Sequence, residues 1–372
     1  MKALVTAARI LVGALFIFSG LVKAIDPLGL NYKMQEFFEV WASSGYLPGL
    51  MNWLNGQSLI FTIIMITLEV VLGVALLVGW KKKLMLNLLL LLVLFFTFLT
   101  SYVLFSGKIR SCGCFGDCIP LTPIQTFSKD IILTILIIFL IAKQQYIKPV
   151  FAGSLPLAIT LISTMATLLL QQHVMKHLPI TDCLPYKKGN NILELRKMPA
   201  DAVPDKFEYS FVYTKGDVKK EFNVSNLPDS SWSFVERKQT LIEKGKNNVP
   251  VINDFSLSDS TGADSTEAIL NQPHYYILFL KEMDSNTGQW QKDFEAVVNK
   301  AKAQSLPVYI VTADTKKVNE YFNKEHHTGL PVYTCDGTAI KTAARANPTL
   351  FEMKGPVVQG KYSWADLDAI LK

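Results

Sequence analysis

Before Gln171 the chain is dominated by apolar runs of about twenty residues, the length that crosses a hydrocarbon core. After Gln171 it is polar and reads as soluble sequence. That asymmetry divides the 372 residues into a membrane half and an outer half. The runs are Met1–Val22, Ser58–Trp80, Leu84–Phe105, a fourth ending at Ala142, and Val150–Gln171. The first begins with Lys2 and Arg9, as a secretory signal would. Leu21-Val22-Lys23-Ala24-Ile25-Asp26 offers no small-residue cleavage site, so the run reads as a retained helix. The fourth opens on Thr122-Pro123-Ile124-Gln125, a capping box with proline at the first helical position. The net charge of +6 is spread without basic repeats or aromatic interleaving, which argues against a nucleic-acid partner.

Charges between the runs orient them. Lys81-Lys82-Lys83 separates the second and third, and Lys143 and Lys148 separate the fourth and fifth. The positive-inside rule makes both connections cytoplasmic. The amino terminus then lies inside. The loop after Phe105 and everything beyond Gln171 lie outside, on the oxidising side where disulfides persist.

That outer loop carries Ser111-Cys112-Gly113-Cys114-Phe115-Gly116-Asp117-Cys118, three of the five cysteines. Thiolates are the reactive form of cysteine, and Lys108 and Arg110 just upstream favour it. Cys112 and Cys114 are within bonding reach across one glycine, in a tight ring that is easily reduced. Cys118 is a resolving or alternative partner. Thiol–disulfide exchange and a permanent loop staple are both open readings. Metal binding is weaker, because no histidine lies nearby. His326-His327 face different ways on a helix and make no metal site.

Polar residues in the membrane half need partners. Glu69 lies midway along the second run, where an ionised group costs about 2.5–3.5 kcal/mol. It reads either as a proton or quinone-site group or as one end of a helix–helix hydrogen bond. Lys23 and Asp26-Pro27 fall near the depth of the cysteine loop. They pair with each other or line a pocket beside it, or they act as a snorkelling lysine beside a capping aspartate. Lys129 and Asp130 read as interfacial anchors. Between Asp26 and Gln57, Tyr32, Phe37, Phe38, Trp41 and Trp53 suggest an amphipathic segment on the membrane face, either anchoring it or roofing the cysteines.

Phe18-Ser19-Gly20-Leu21-Val22-Lys23-Ala24-Ile25-Asp26-Pro27 resembles the end of the first helix in DoxX-like membrane proteins. Cys112-Gly113-Cys114-Phe115-Gly116 resembles the signature of the MauE family of methylamine-utilisation proteins. The likeness covers roughly residues 1–145, a four-helix unit. It implies disulfide handling or maturation of periplasmic proteins, with Cys112 and Cys114 carrying the transfer and a separate thioredoxin-like partner. Coupling to a quinone is a further implication, with Glu69, Lys23 and Asp26 as candidate binding residues. Cys118 lies outside that pattern and is a candidate by proximity alone. No substrate is carried over from methylamine metabolism.

In the outer half, Tyr209–Tyr213 and Lys220–Val224 flank the turn Thr214-Lys215-Gly216-Asp217 and predict a hairpin. From Val251 strands and helices alternate. This order resembles the thioredoxin fold, most specifically at Asn347-Pro348-Thr349-Leu350, whose proline that fold holds cis. The likeness stops at the active site. Lys281-Glu282-Met283-Asp284-Ser285-Asn286-Thr287-Gly288 follows the strand ending at Leu280 and contains no cysteine. Cys183 and Cys335 read as isolated thiols, as mixed-disulfide partners, or as a structural pair with each other.

The architecture expected is a membrane α-helical bundle with a C-terminal periplasmic α/β thioredoxin-like domain. The bundle is a four-helix DoxX/MauE-like unit (residues 1–148) with a fifth span (149–172). A β-rich connector (173–250) leads to the last domain (251–372). The setting expected is the bacterial inner membrane, with periplasmic protein clients, surrounding lipid and no nucleic acid. The function expected is a membrane thiol–disulfide redox or electron-relay protein. The other reading is a non-enzymatic, membrane-anchored assembly protein with a structural cysteine loop.

Overall fold

The computed structural model describes residues 1–109, 112–113, 115–283 and 287–372. Arg110, Ser111 and Cys114 therefore lie outside the described residues, as do Asp284, Ser285 and Asn286. The amino-terminal half forms α1 (Lys2–Ile25), α2 (Pro27–Ser43), α3 (Pro48–Gly56), α4 (Ser58–Val78), α5 (Lys82–Ser106), α6 (Pro123–Ala142) and α7 (Leu155–His177). Among the described residues, α1, α4, α5, α6 and α7 are the helices long and apolar enough to cross a membrane. Glycines let α1 and α4 approach closely: a Cβ on Gly73 would come within 2.8 Å of the Gly13 carbonyl oxygen. The capping box is present at the start of α6, where Thr122 and Gln125 each accept from the other's backbone N–H. The last of these helices starts five residues later than Val150. The Val150 N–H donates to the Val78 carbonyl at 3.0 Å, Gly153 takes a positive φ of 66°, and Pro156 sits in the first turn of α7.

The segment from Asp26 to Gln57 departs from expectation. Its first part is not a helix lying on the membrane face. Leu30, Met34, Phe37 and Phe38 on α2 are buried in the core of the bundle. Phe37 packs on Trp41 and Tyr102, and Phe38 on Phe61. Trp53 on α3 stays exposed. The two basic turns share one end of the bundle. Lys82 donates to the Ile147 carbonyl at 2.8 Å, and Arg9 reaches the carbonyls of Leu76, Leu77 and Lys148. The cysteine loop, α2 and the end of α7 lie at the opposite end.

Beyond α7 come α8 (Ile192–Leu195) and a three-stranded antiparallel sheet of β1 (Lys206–Lys215), β2 (Val218–Asn223) and β3 (Ser233–Glu243), ordered β2-β1-β3. The hairpin β1–β2 turns through Gly216, as its sequence indicates. β3 is exposed along its whole length. The chain then forms α9 (Thr266–Leu270), β4 (Tyr275–Leu280), α10 (Thr287–Ala303), β5 (Val308–Thr312), α11 (Thr315–Asn319), β6 (Val332–Thr334), α12 (Gly337–Ala343), β7 (Thr349–Lys354), β8 (Val357–Ser363) and α13 (Asp368–Leu371). Their five-stranded sheet is ordered β6-β5-β4-β7-β8, with β4, β5 and β6 parallel and β7 and β8 antiparallel. Every residue of central β4 is buried, between one apolar cluster on each face. The segment holding α8 joins this α/β domain. The Gly189 and Ile192 N–H groups donate to the carbonyls of Val358 and Pro356, each at 2.8 Å, and Tyr186 and Ile192 enter its core. The Asn347–Pro348 bond is cis, as the resemblance implied.

Candidate functional site

The α/β domain sits on the end of the bundle that carries the cysteine loop. Asp26 is the corner residue: it follows α1, and its carboxylate accepts the Gly29 N–H at 3.1 Å to cap α2. The same carboxylate accepts from Arg345 Nε at 2.9 Å, while Arg345 Nη2 donates to Asp117 of the cysteine loop, also at 2.9 Å. The Arg345 guanidinium lies over the Tyr32 ring and its side chain is only 6 % exposed. Lys281, just after β4, donates to the Tyr32 hydroxyl at 3.0 Å and to the Arg345 carbonyl at 2.8 Å. Asn347 ties the two edges together: its Oδ1 accepts the Lys281 N–H and its Nδ2 donates to the Glu282 carbonyl. Burial, reinforced by Arg345, lowers Lys281 to about 8, and burial raises Tyr32 to about 12. The end of β4 and the cis-proline turn are thus pressed against α2 and the cysteine loop.

Within the loop, Cys112 is buried and Gly113 takes a positive φ of 68°, its carbonyl accepting the Gly116 N–H. A Cβ on Gly113 would meet the Lys33 side chain of α2 at 3.1 Å, so α2 does roof the loop. Phe115 points inward, 6.1 Å from Phe18 and 4.8 Å under the Lys129 ammonium. Cys118 is bonded to Cys183, with Cα atoms 4.9 Å apart. Cys183 therefore does not pair with Cys335. The Cys335 thiol is free and buried in the α/β core, where burial raises it to about 11, far from a reactive thiolate. The Cys112–Cys114 pairing falls on a residue outside those described.

The buried charges beneath the loop are self-contained. Lys23 does not snorkel and does not pair with Asp26. It turns into the bundle, donating to Glu69 at 2.6 Å and Ser19 at 3.2 Å and lying 4.4 Å over Phe96. Glu69 is thereby one end of a helix–helix ion pair. Asp130 is not an interfacial anchor either: it faces inward and accepts from Thr100 at 3.1 Å, with Lys129 at 2.8 Å. The cavity bordered by Glu69, Phe115 and Asp130 encloses ≈ 10 Å³, about what one water needs. Lys23 and Glu69 pair with each other and Asp26 pairs with Arg345, so the three candidate quinone-site residues are not brought together around one cavity. A far larger cleft of ≈ 680 Å³ opens at the seam between α2 and α12, and Tyr32, Asp117, Cys183, Lys341 and Arg345 border it.

The family model of methylamine utilisation protein MauE matches residues 1–143. Those residues are the bundle through α6 and include the whole cysteine loop. With the five apolar helices, the match makes the chain a multi-pass membrane protein with a MauE-like unit. A second family model, a domain of unknown function numbered DUF8463, matches residues 207–244, the three-stranded sheet. Protein TlpB of Flavobacterium psychrophilum is 33% identical over 135 residues, 36% of this chain and 35% of that protein. The match thus spans about a third of that relative's length. No solved structure matches the chain.

Sequence reasoning did not reach Arg345, gave Asp117 and Lys281 no role, and read Tyr32 only within an aromatic segment that anchors to the membrane or roofs the cysteines. The apolar strand before Lys281 and the Asn347-Pro348 pair were the signals that pointed to this edge. Nothing local marks Arg345.

Proposed function

We propose that the protein is a membrane-bound thiol–disulfide redox protein that acts on protein clients through Cys112 and Cys114. The observation that carries this reading is the docking of the Asn347–Pro348 edge, through Arg345, onto the loop holding the Cys-Gly-Cys string. The strand order and the cis proline support a thioredoxin-like fold for the α/β domain. Its usual dithiol position, after Leu280, has no cysteine. That domain then presents clients, and the MauE-like loop supplies the sulfurs. In the exchange a loop thiolate attacks a client sulfur, the client's disulfide breaks as a mixed disulfide forms, and the second loop thiolate then attacks the loop sulfur of that bond, so the client leaves as a dithiol and the loop as a disulfide; the same two steps in reverse pass two electrons from a client dithiol to the loop disulfide. The two basic turns at the far end of the bundle support an inner-membrane orientation with loop and α/β domain in the periplasm.

The test is replacement of Cys112 and Cys114 by serine in the full chain. Mixed disulfides with periplasmic proteins should disappear, and client thiols should accumulate in the state that the wild type converts. Unchanged client redox states would sink the reading. The Cys118–Cys183 bond favours a second reading, a membrane-anchored assembly protein whose cysteines only hold its parts together. Under it, the serine variants change stability and leave client redox state alone.

A further inference from the structure

We propose that Cys118–Cys183 is a second redox centre, distinct from the Cys112–Cys114 loop, and that its substrate is a dithiol on an extended protein segment. Three observations carry this. Cys118 is exposed and Cys183 half-buried, so an incoming thiolate reaches the bond without unfolding the protein. Cys183 borders the ≈ 680 Å³ cleft at the seam, a volume that accepts a peptide segment. Lys33, Lys341 and Arg345 border the same cleft together with Glu36, Glu39 and Asp117, a mixed-charge lining that suits the polar backbone and side chains of a peptide segment.

The seam is also held without the disulfide. Arg345 bridges Asp26 and Asp117, Lys281 bonds Tyr32, His177 pairs with Asp366 at 2.8 Å, and Lys361 pairs with Asp182 at 2.6 Å. Opening the sulfur bond leaves those contacts and the cleft in place, which is what a turnover site requires and a staple does not.

The step balances within the two partners. A substrate thiolate attacks the exposed Cys118 sulfur, the Cys118–Cys183 bond breaks, and Cys183 leaves as thiolate at the edge of the cleft. The second substrate thiolate then attacks the substrate's own sulfur in the mixed disulfide, and Cys118 leaves. The substrate dithiol becomes a disulfide, two electrons rest on Cys118 and Cys183, and two protons go to solvent.

The test uses the full-length protein in lipid nanodiscs and two synthetic peptides. One carries two thiols spaced by two residues and the other a single thiol. The dithiol peptide should be oxidised stoichiometrically by the wild type and by the Cys112→Ser/Cys114→Ser variant, and not by Cys118→Ala/Cys183→Ala. The single-thiol peptide, with free thiols alkylated at once, should map by mass spectrometry to Cys118, with alkylation on Cys183. That mapping uses wild-type protein and stands even where the alanine variant misfolds. Exchange that survives loss of Cys118 and Cys183 but needs Cys112 and Cys114 overturns this centre and leaves the loop reading intact. A bond that opens only in denaturant, or an adduct on Cys183, overturns it as well.

Discussion

Two charged clusters lie on either side of the cysteine loop, and they are built differently. Lys23 and Glu69 are sealed in the bundle between α1 and α4, with side chains 1% and 4% exposed. Arg345, Asp26 and Asp117 straddle a seam, and one of the carboxylates, Asp117, is 47% exposed. A sealed pair gains little net energy over an apolar isostere, but losing one partner strands a charge in a medium that cannot solvate it. A seam cluster keeps access to water, so its loss is milder and falls on docking. One cluster sets whether the bundle forms. The other sets where the α/β domain rests.

Substitutions separate the two clusters. The largest effect is expected for Lys23→Met, which leaves Glu69 ionisable and alone. Unfolding in detergent should show destabilisation of about 3–5 kcal/mol, and Lys23→Met/Glu69→Leu should recover most of it. If the single change is silent, the pair is not sealed. Next comes Arg345→Met, expected to weaken docking by about 1–3 kcal/mol through two stranded carboxylates, one of them partly solvated. Hydrogen exchange should rise across α2 and the cysteine loop while α4 and α5 keep their protection. A pH effect follows. Burial lowers Lys281 from 10.5 to about 8, so the folded state sheds a proton that the unfolded chain keeps. Stability therefore rises with pH above about 8, and the Lys281 contribution levels off near its unfolded value. Cys335, raised from 9.0 to about 11, opposes this above pH 9, and Lys361, also lowered by burial, adds to the rise, so the contribution of Lys281 is read by comparing wild type and variant between pH 8 and 9. Lys281→Met should flatten the rise there. The smallest effect is expected for Glu243→Gln. Its bond to Lys206 at 2.6 Å lies on the exposed β1–β3 sheet, and melting curves should not move measurably.

What could be read in the chain follows the range of each interaction. The apolar runs, the capping box at Thr122, the hairpin around Gly216 and the proline at 348 are local patterns, and all are present in the fold. Glu69 stood out because an acid in an apolar run demands a partner, but Lys23 lies 46 positions away and only helix packing selects it. Asp130 read as an anchor because its burial depends on Thr100, on a different helix whose rotation no local pattern sets. Arg345 meets Asp26 across 319 positions and sits among alanines with no distinguishing spacing. Cys118 and Cys183 illustrate the same limit, because sulfur pairing follows tertiary proximity and not count. The aromatics of α2 misled for another reason. Phe37 and Phe38 suit a lipid interface and a protein core equally well by composition.

The bond between Cys118 and Cys183 makes the 65-position stretch between them a closed covalent ring, and α6 and α7 are both threaded on it. A peptide-bond cut in the turn joining those two helices would therefore release nothing. Both pieces would travel as one species on a gel until a reductant parted them.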